Sequence, residues 1–200
     1  MIKKSILLLS IMFFVSCLSA SEDASGVYVG LGFGSTAYVD DGFAKEQANR
    51  GVEDEIAVST FGAKLYGGYQ FNKIIGLEAA YTHYGEFTAN DSYTYSAQGI
   101  SLAANVGYTF LTGQLRPYLL LGVGYIYSDF PHDDIPVDDN SPTLHIGFGL
   151  DYVPASLGGI GFRVAYESNS FSYIVNENTL EEKKYIQGFG ILYLGCYYKF

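Results

Sequence analysis

Acid–base or nucleophilic catalysis needs a base held beside its partner group, and the chain offers only His83, His132 and His145 for that role. None of the three is followed at the second position by a serine: His83 precedes Tyr84-Gly85 and His145 precedes Ile146-Gly147. The acidic group Asp133, Asp134, Asp138 and Asp139 beside His132 lacks the Asp/Asn–Gly–Glu spacing of a calcium loop. Weak bridging of divalent cations is the most it implies, and no metal site or other cofactor is expected. Gly30-x-Gly32-x-Gly34 lies inside an alternating segment with no helix to follow, so it is not a nucleotide loop. The chain is therefore read as a non-enzyme. Seven charges remain: Lys64, Glu78, Arg116, Asp151, Arg163, Glu167 and Lys199 stand singly among apolar and glycine-rich neighbours. What they do depends on the elements that carry them.

Those elements alternate with a period of two, the mark of strands. Val27, Val29, Leu31 and Phe33 share one face, while Tyr28, Gly30, Gly32 and Gly34 share the other. The pattern recurs over 61–71, 75–84, 100–110, 115–125, 144–152, 160–167 and 191–200. Each segment is close to the length that a tilted strand needs to cross a bilayer. One face is continuously apolar with aromatics near its ends, and all seven charges fall on the opposite face. A soluble sheet would carry many more Lys and Glu on its wet face, yet only 16% of this chain is charged. The expected fold is all-β: an eight-stranded antiparallel up-and-down transmembrane β-barrel, apolar outward and polar inward.

A barrel of eight strands is just wide enough to be filled by its own side chains. The 24 Gly fit such a crowded interior shared with large residues among the 19 Tyr. Lys64, Glu78, Arg116, Asp151, Arg163, Glu167 and Lys199 are thus expected to form a lumen charge network, paired because buried charges persist only when paired. A narrow polar pore is the alternative. Cys196 falls on the lipid face as a small apolar filler, His83 at that face's outer edge, and His145 inside as a hydrogen-bonding filler.

The links between segments alternate in length. Asn72-Lys73, Thr112-Gly113 and 154–158 are short, whereas 39–56, 87–95, 129–141 and 171–186 are mostly longer and polar. This is how such barrels distribute periplasmic turns and external loops. Most of the 21 Asp and Glu sit in those four outer segments, which account for essentially the whole net charge of −10. An acidic surface repels nucleic acid and leaves a basic surface partner or divalent cations. Lys3 and Lys4, an apolar run over 6–15 and Cys17-Leu18-Ser19-Ala20 have the order of an export signal. The expected organisation is a signal peptide at 1–20 and one barrel domain at 21–200. Phe14-Val15-Ser16-Cys17 also loosely resembles a lipobox, but Phe14 stands where an aliphatic residue is usual.

Several motifs carry a family likeness. Val27-Tyr28-Val29-Gly30, Leu65-Tyr66-Gly67-Gly68-Tyr69-Gln70-Phe71, Leu77-Glu78-Ala79-Ala80-Tyr81, Arg116-Pro117-Tyr118 leading into Gly122-Val123-Gly124-Tyr125, and Tyr198-Lys199-Phe200 resemble the outer membrane protein β-barrel, or porin-like, family related to OmpA and OmpX. The resemblance implies location in the bacterial outer membrane, among its lipid and lipopolysaccharide. It also implies delivery by the barrel-insertion machinery, with Phe200 and Tyr198 as the aromatic end that machinery reads. With no peptidoglycan-binding domain after Phe200, the tethering role of two-domain members is not expected to carry over. The His-x-Ser arrangement of the lipid A deacylase is missing. Fold does not fix activity, so the expected function is structural or surface-interacting, adhesion-like, with acidic extracellular loops and a side-chain-filled lumen. A small pore or an OmpW-like channel for small solutes is the alternative: a continuous polar lumen favours the pore, a hydrophobic lumen with a side opening the channel.

Overall fold

A computed structural model describes residues 25–40, 60–89, 93–110, 114–128, 140–175 and 183–200. The export segment 1–20, the acidic group at 133–139 and Thr112-Gly113 lie outside the described residues. Eight strands run in chain order: β1 Gly26–Asp40, β2 Thr60–Gln70, β3 Ile75–Ala89, β4 Tyr93–Gly107, β5 Leu115–Ser128, β6 Asn140–Tyr152, β7 Ile160–Val175 and β8 Lys183–Lys199. Each pairs antiparallel with the next, and β8 returns to β1, so the sheet is a closed barrel. The seam sets Val29 opposite Tyr198, Leu31 opposite Cys196 and Phe33 opposite Leu194. Hydrocarbon offers no partner to a bare backbone amide or carbonyl, so closure is what lets a sheet span it.

Alternation is sharp in the wall. Leu120 is 1% exposed and its neighbour Leu121 61%. Val29, Leu31, Phe33, Leu119, Val123 and Leu194 likewise point outward, which in a lipid solvent removes them from water. One end is closed by short turns. At the first, the Asn72 Oδ1 accepts the backbone N–H groups of Ile74 at 2.8 Å and Ile75 at 2.9 Å, replacing ladder bonds that the turn breaks. The last is a single 3₁₀ turn, Ala155–Leu157, ended by Gly158 in the left-handed region at φ 55, a conformation side chains resist. Ring pairs Tyr69–Phe71, Tyr108–Phe110 and Tyr198–Phe200, with centroids 5.2, 4.8 and 4.9 Å apart, gird this end at the height of an interface.

The other end differs from the expectation. β3 and β8 have 15 and 17 residues, more than the roughly 9–11 that a bilayer crossing needs. The wall therefore continues past the membrane, and much of 87–95 and 171–186 is strand rather than loop. The reason is physical: above the hydrocarbon, outward positions such as Gln98, Ser168 and Ser170 need not be apolar, so the alternation fades while the ladder goes on. At the opposite end β4 stops early, leaving Tyr108 to Phe110 outside it, with Phe110 bridged to Leu115. In β3 the register against β4 shifts between His83 and Glu86, where Gly85 has φ 83. This bulge reverses the parity beyond it, so Glu86 faces outward and Phe87 is wholly buried.

Candidate functional site: the barrel lumen

Six of the seven expected lumen charges are buried inside the barrel, at 7% exposure or less: Lys64, Glu78, Arg116, Asp151, Arg163 and Glu167. Register brings three of them into one row, because Asp151 on β6 stands directly opposite Arg116 on β5 and Arg163 on β7. Arg163 is the hub. Its Nε and a terminal nitrogen donate to the two oxygens of Asp151 at 2.7 and 3.2 Å, and its other terminal nitrogen donates to Glu78 at 2.8 Å. Fork-shaped pairing of this kind combines charge with direction. The guanidinium lies 4.4 Å from the ring centre of Tyr66 and 4.6 Å from that of Tyr118, within cation–π range of both. Glu78 also accepts the Tyr28 hydroxyl at 2.8 Å.

A second cluster sits one layer further from the turns. The Lys64 ammonium pairs with Glu167 and lies 3.7 Å from Glu78, bridging the two groups. Glu167 accepts the Tyr193 hydroxyl at 2.6 Å and lies 3.1 Å from the His145 Nε2. The other ring nitrogen of His145 is 3.1 Å from the Asn169 side chain, which bonds the Tyr84 hydroxyl at 2.6 Å. Removing such charges from water costs several kcal/mol per ion, roughly, and close pairing is what offsets it. Glycine makes the space: a β-carbon on Gly30 would lie 2.5 Å from the Tyr66 ring, and one on Gly161 would strike the Tyr197 ring.

Lys199 lies apart from these two clusters, at the mouth on the turn side, where its ammonium donates to the Gln70 side-chain oxygen at 3.1 Å. Arg116 is near it in the same mouth, donating to Asn105 at 2.7 Å and to the Ile74 carbonyl at 3.3 Å. Its distance to Asp151 is 3.9 Å, an ion pair without a hydrogen bond. Tyr198 and Phe200 are on the outer surface. His145 is the hydrogen-bonding filler that its parity implied.

Sequence reasoning missed the other half of the lumen. Phe189 is fully buried, with the rings of Tyr38, Tyr84, Phe87 and Phe171 at 5.2, 5.4, 5.6 and 6.4 Å around it. This aromatic plug fills the barrel beyond the charged layers, toward the long-strand end. Phe87 and Phe171 lie at the starts of segments expected to be loops, and Phe189 lies between the last of those segments and the final expected strand. The large apolar residue Ile191 at an inward position was the available signal that the filling changes character there.

Comparisons with known proteins agree with this geometry. Residues 5–200 match the family described as outer membrane protein beta-barrel domain. Outer membrane protein A of Salmonella typhi is 29% identical over 157 residues, covering 77% of this chain and 41% of that protein. Outer membrane protein A of Shigella flexneri is 28% identical over 196 residues, covering 94% and 52%. The chain thus spans about half, or less, of these relatives. Among solved structures, Neisserial surface protein A superposes with a TM-score of 0.54 at 18% identity, over 89% of this chain and 100% of that one. Ail, the attachment invasion locus protein of Yersinia pestis, gives 0.50 at 17% identity, over 86% and 99%. At those identities the two share a fold with the chain. An eight-stranded closed wall, apolar outside and ion-paired within, matched along nearly its whole length to one family, makes this chain a member of the outer membrane protein β-barrel domain family, located in the bacterial outer membrane.

Proposed function

We propose that the protein is a closed, non-catalytic barrel that holds acidic loops at the cell surface for interaction with basic surfaces or, through divalent cations, with lipopolysaccharide. The observation that carries this reading is the filled lumen: two charged layers and an aromatic plug occupy successive levels of the barrel. A pore needs a continuous wet path, and the mouth cavity has room for only ≈ 10 Å³, about one water. The wall prolonged beyond the bilayer suits a rigid pedestal for loops, since binding segments work best on a fixed scaffold. The name of Ail, which speaks of attachment and invasion, agrees with such a role. Residues 1–20 are proposed to be removed on export, and Tyr198 and Phe200 to be read during insertion.

Refolded protein in a planar bilayer tests the closed lumen, and silence at physiological voltage is expected. Stable single-channel steps would replace this reading with the small-pore alternative. Protease shaving of intact cells should cut within 41–59 or 129–139, placing those segments outside.

A further inference from the structure

We propose that the outer rim of the barrel, between β6 and β7, accepts an extended basic segment of a partner protein as an added strand. The inference rests on the surface-interaction reading above and names where and how the partner is held. It comes from a break in the wall. The β6–β7 ladder ends at Leu144 opposite Ser170, although β6 begins at Asn140 and β7 runs on to Val175. Above that pair β6 keeps its ladder with β5 as far as Asn140, and β7 keeps its ladder with β8 as far as Val175. Among the described residues, each strand therefore continues with one side unpaired.

A proline explains why the two do not close on each other. Val153 donates its N–H to the Gln114 carbonyl on the β5 side at 2.7 Å, and the β5–β6 register runs without a shift from Tyr152 to Asn140. Backbone groups along a strand alternate in direction, so the even-numbered residues of β6 point at β7. The next of these after Leu144 is Pro142, which has no N–H to give. The same alternation fixes the groups left over on β7. Lys199 donates to the Gly159 carbonyl at 2.9 Å, and the unbroken β7–β8 register turns odd-numbered residues of β7 toward β8 and even-numbered ones toward β6. Ser172 and Ile174 thus aim both N–H and C=O at the break, with the spacing of a ladder. An extended peptide that pairs there takes up those groups and adds itself to the sheet.

The β7 edge is also unguarded. Open edges are ordinarily blunted by Lys, Pro or a bulge, but β7 from Ser168 to Val175 reads Ser-Asn-Ser-Phe-Ser-Tyr-Ile-Val, without charge or proline. Charge selects the occupant. Asp133, Asp134, Asp138 and Asp139 belong to the segment that leads into β6, and Glu177, Glu181 and Glu182 to the chain that follows Val175, against Lys183 and Lys184. A second copy would bring the same acidic excess to the same place and be repelled, whereas a lysine- or arginine-rich segment is attracted.

The test uses the whole barrel refolded in a non-ionic detergent, with a short labelled peptide of alternating lysine and threonine as the probe and fluorescence anisotropy as the readout. A copy N-methylated at every second residue keeps the charge and loses the ladder, and a copy with glutamate for lysine keeps the ladder and reverses the charge. Saturable binding of the lysine peptide is expected, weakened about tenfold in its methylated copy and in Ile174→Pro, each of which loses ladder bonds. Ile174→Pro leaves the β8 ladder intact, because the N–H it removes points away from β8, and heat-modifiable gel migration verifies that it has folded. The methylated peptide needs no variant and serves if Ile174→Pro does not fold. Equal binding of the plain and methylated peptides overturns the added strand and leaves the surface-interaction reading standing. Equal binding of the lysine and glutamate peptides overturns the basic partner and that reading together. Absence of lysine-peptide binding at millimolar concentration, or a dimer of the barrel that Ile174→Pro abolishes, also overturns the proposal, the latter by giving the edge to a second copy.

Discussion

Replacing Arg163 with methionine keeps an unbranched stem of similar reach and removes both the charge and the fork. Two carboxylates lose their principal partner, but unequally. Glu78 retains the Tyr28 hydroxyl at 2.8 Å and Lys64 at 3.7 Å, whereas Asp151, 4% exposed, is left with Arg116 at 3.9 Å. Breaking a buried pair and stranding one charge costs about 3–5 kcal/mol. With a urea dependence of about 2 kcal/mol per molar, the unfolding midpoint should fall by about 1.5–2.5 M. Because the chain has no Trp, the transition is best followed by heat-modifiable band shift in vesicles, approached from folded and unfolded protein alike. The structure makes a further demand. If stranded Asp151 is the source of the cost, adding Asp151→Asn should return about 1–3 kcal/mol of it. An Arg163→Met variant within about 1 kcal/mol of the parent, or a double variant less stable than the single, would refute the network as drawn.

Three other outcomes follow from the same geometry. Gly161→Ala places a methyl on the Tyr197 ring, 2.7 Å from its nearer edge carbons, and should cost about 1–3 kcal/mol; Tyr197→Leu in the same chain should relieve it in the band-shift assay. Leu121→Arg, mid-strand on the lipid face, should cost about 2–4 kcal/mol in vesicles, and a neutral result would mean that this face does not meet hydrocarbon. Phe200→Ala, at an aromatic end 75% exposed, should lower the amount of heat-modifiable protein recovered from outer membranes; unchanged recovery would remove the targeting role proposed for it.

Inward and outward membership was legible because hydrocarbon imposes one rule on every stave, and a period-two reading detects that rule directly. Hence Lys64 and Glu167 were placed in the lumen from parity alone. Which cation meets which anion was not legible, since pairing depends on register: the row Arg116, Asp151, Arg163 exists because β5, β6 and β7 align those positions. Parity also fails silently at a bulge. The shift between His83 and Glu86 turned Phe87 inward, and without it the plug would lack one wall. Beyond the bilayer the outward residues are free to be polar, so the upper ladder of β7 and β8 left no alternation to find. The plug around Phe189 was hidden for that reason.

The seam between β1 and β8 joins residues from opposite extremes of the sequence, Tyr28 with Lys199 among them. Native contacts are thus weighted toward long separations, and folding rates fall steeply with that weighting. Until the final stave arrives, β1 and β7 each present a raw edge able to template another chain. Assembly is accordingly a race between ring closure and edge-to-edge association, and whatever shields the unfinished edges favours the ring.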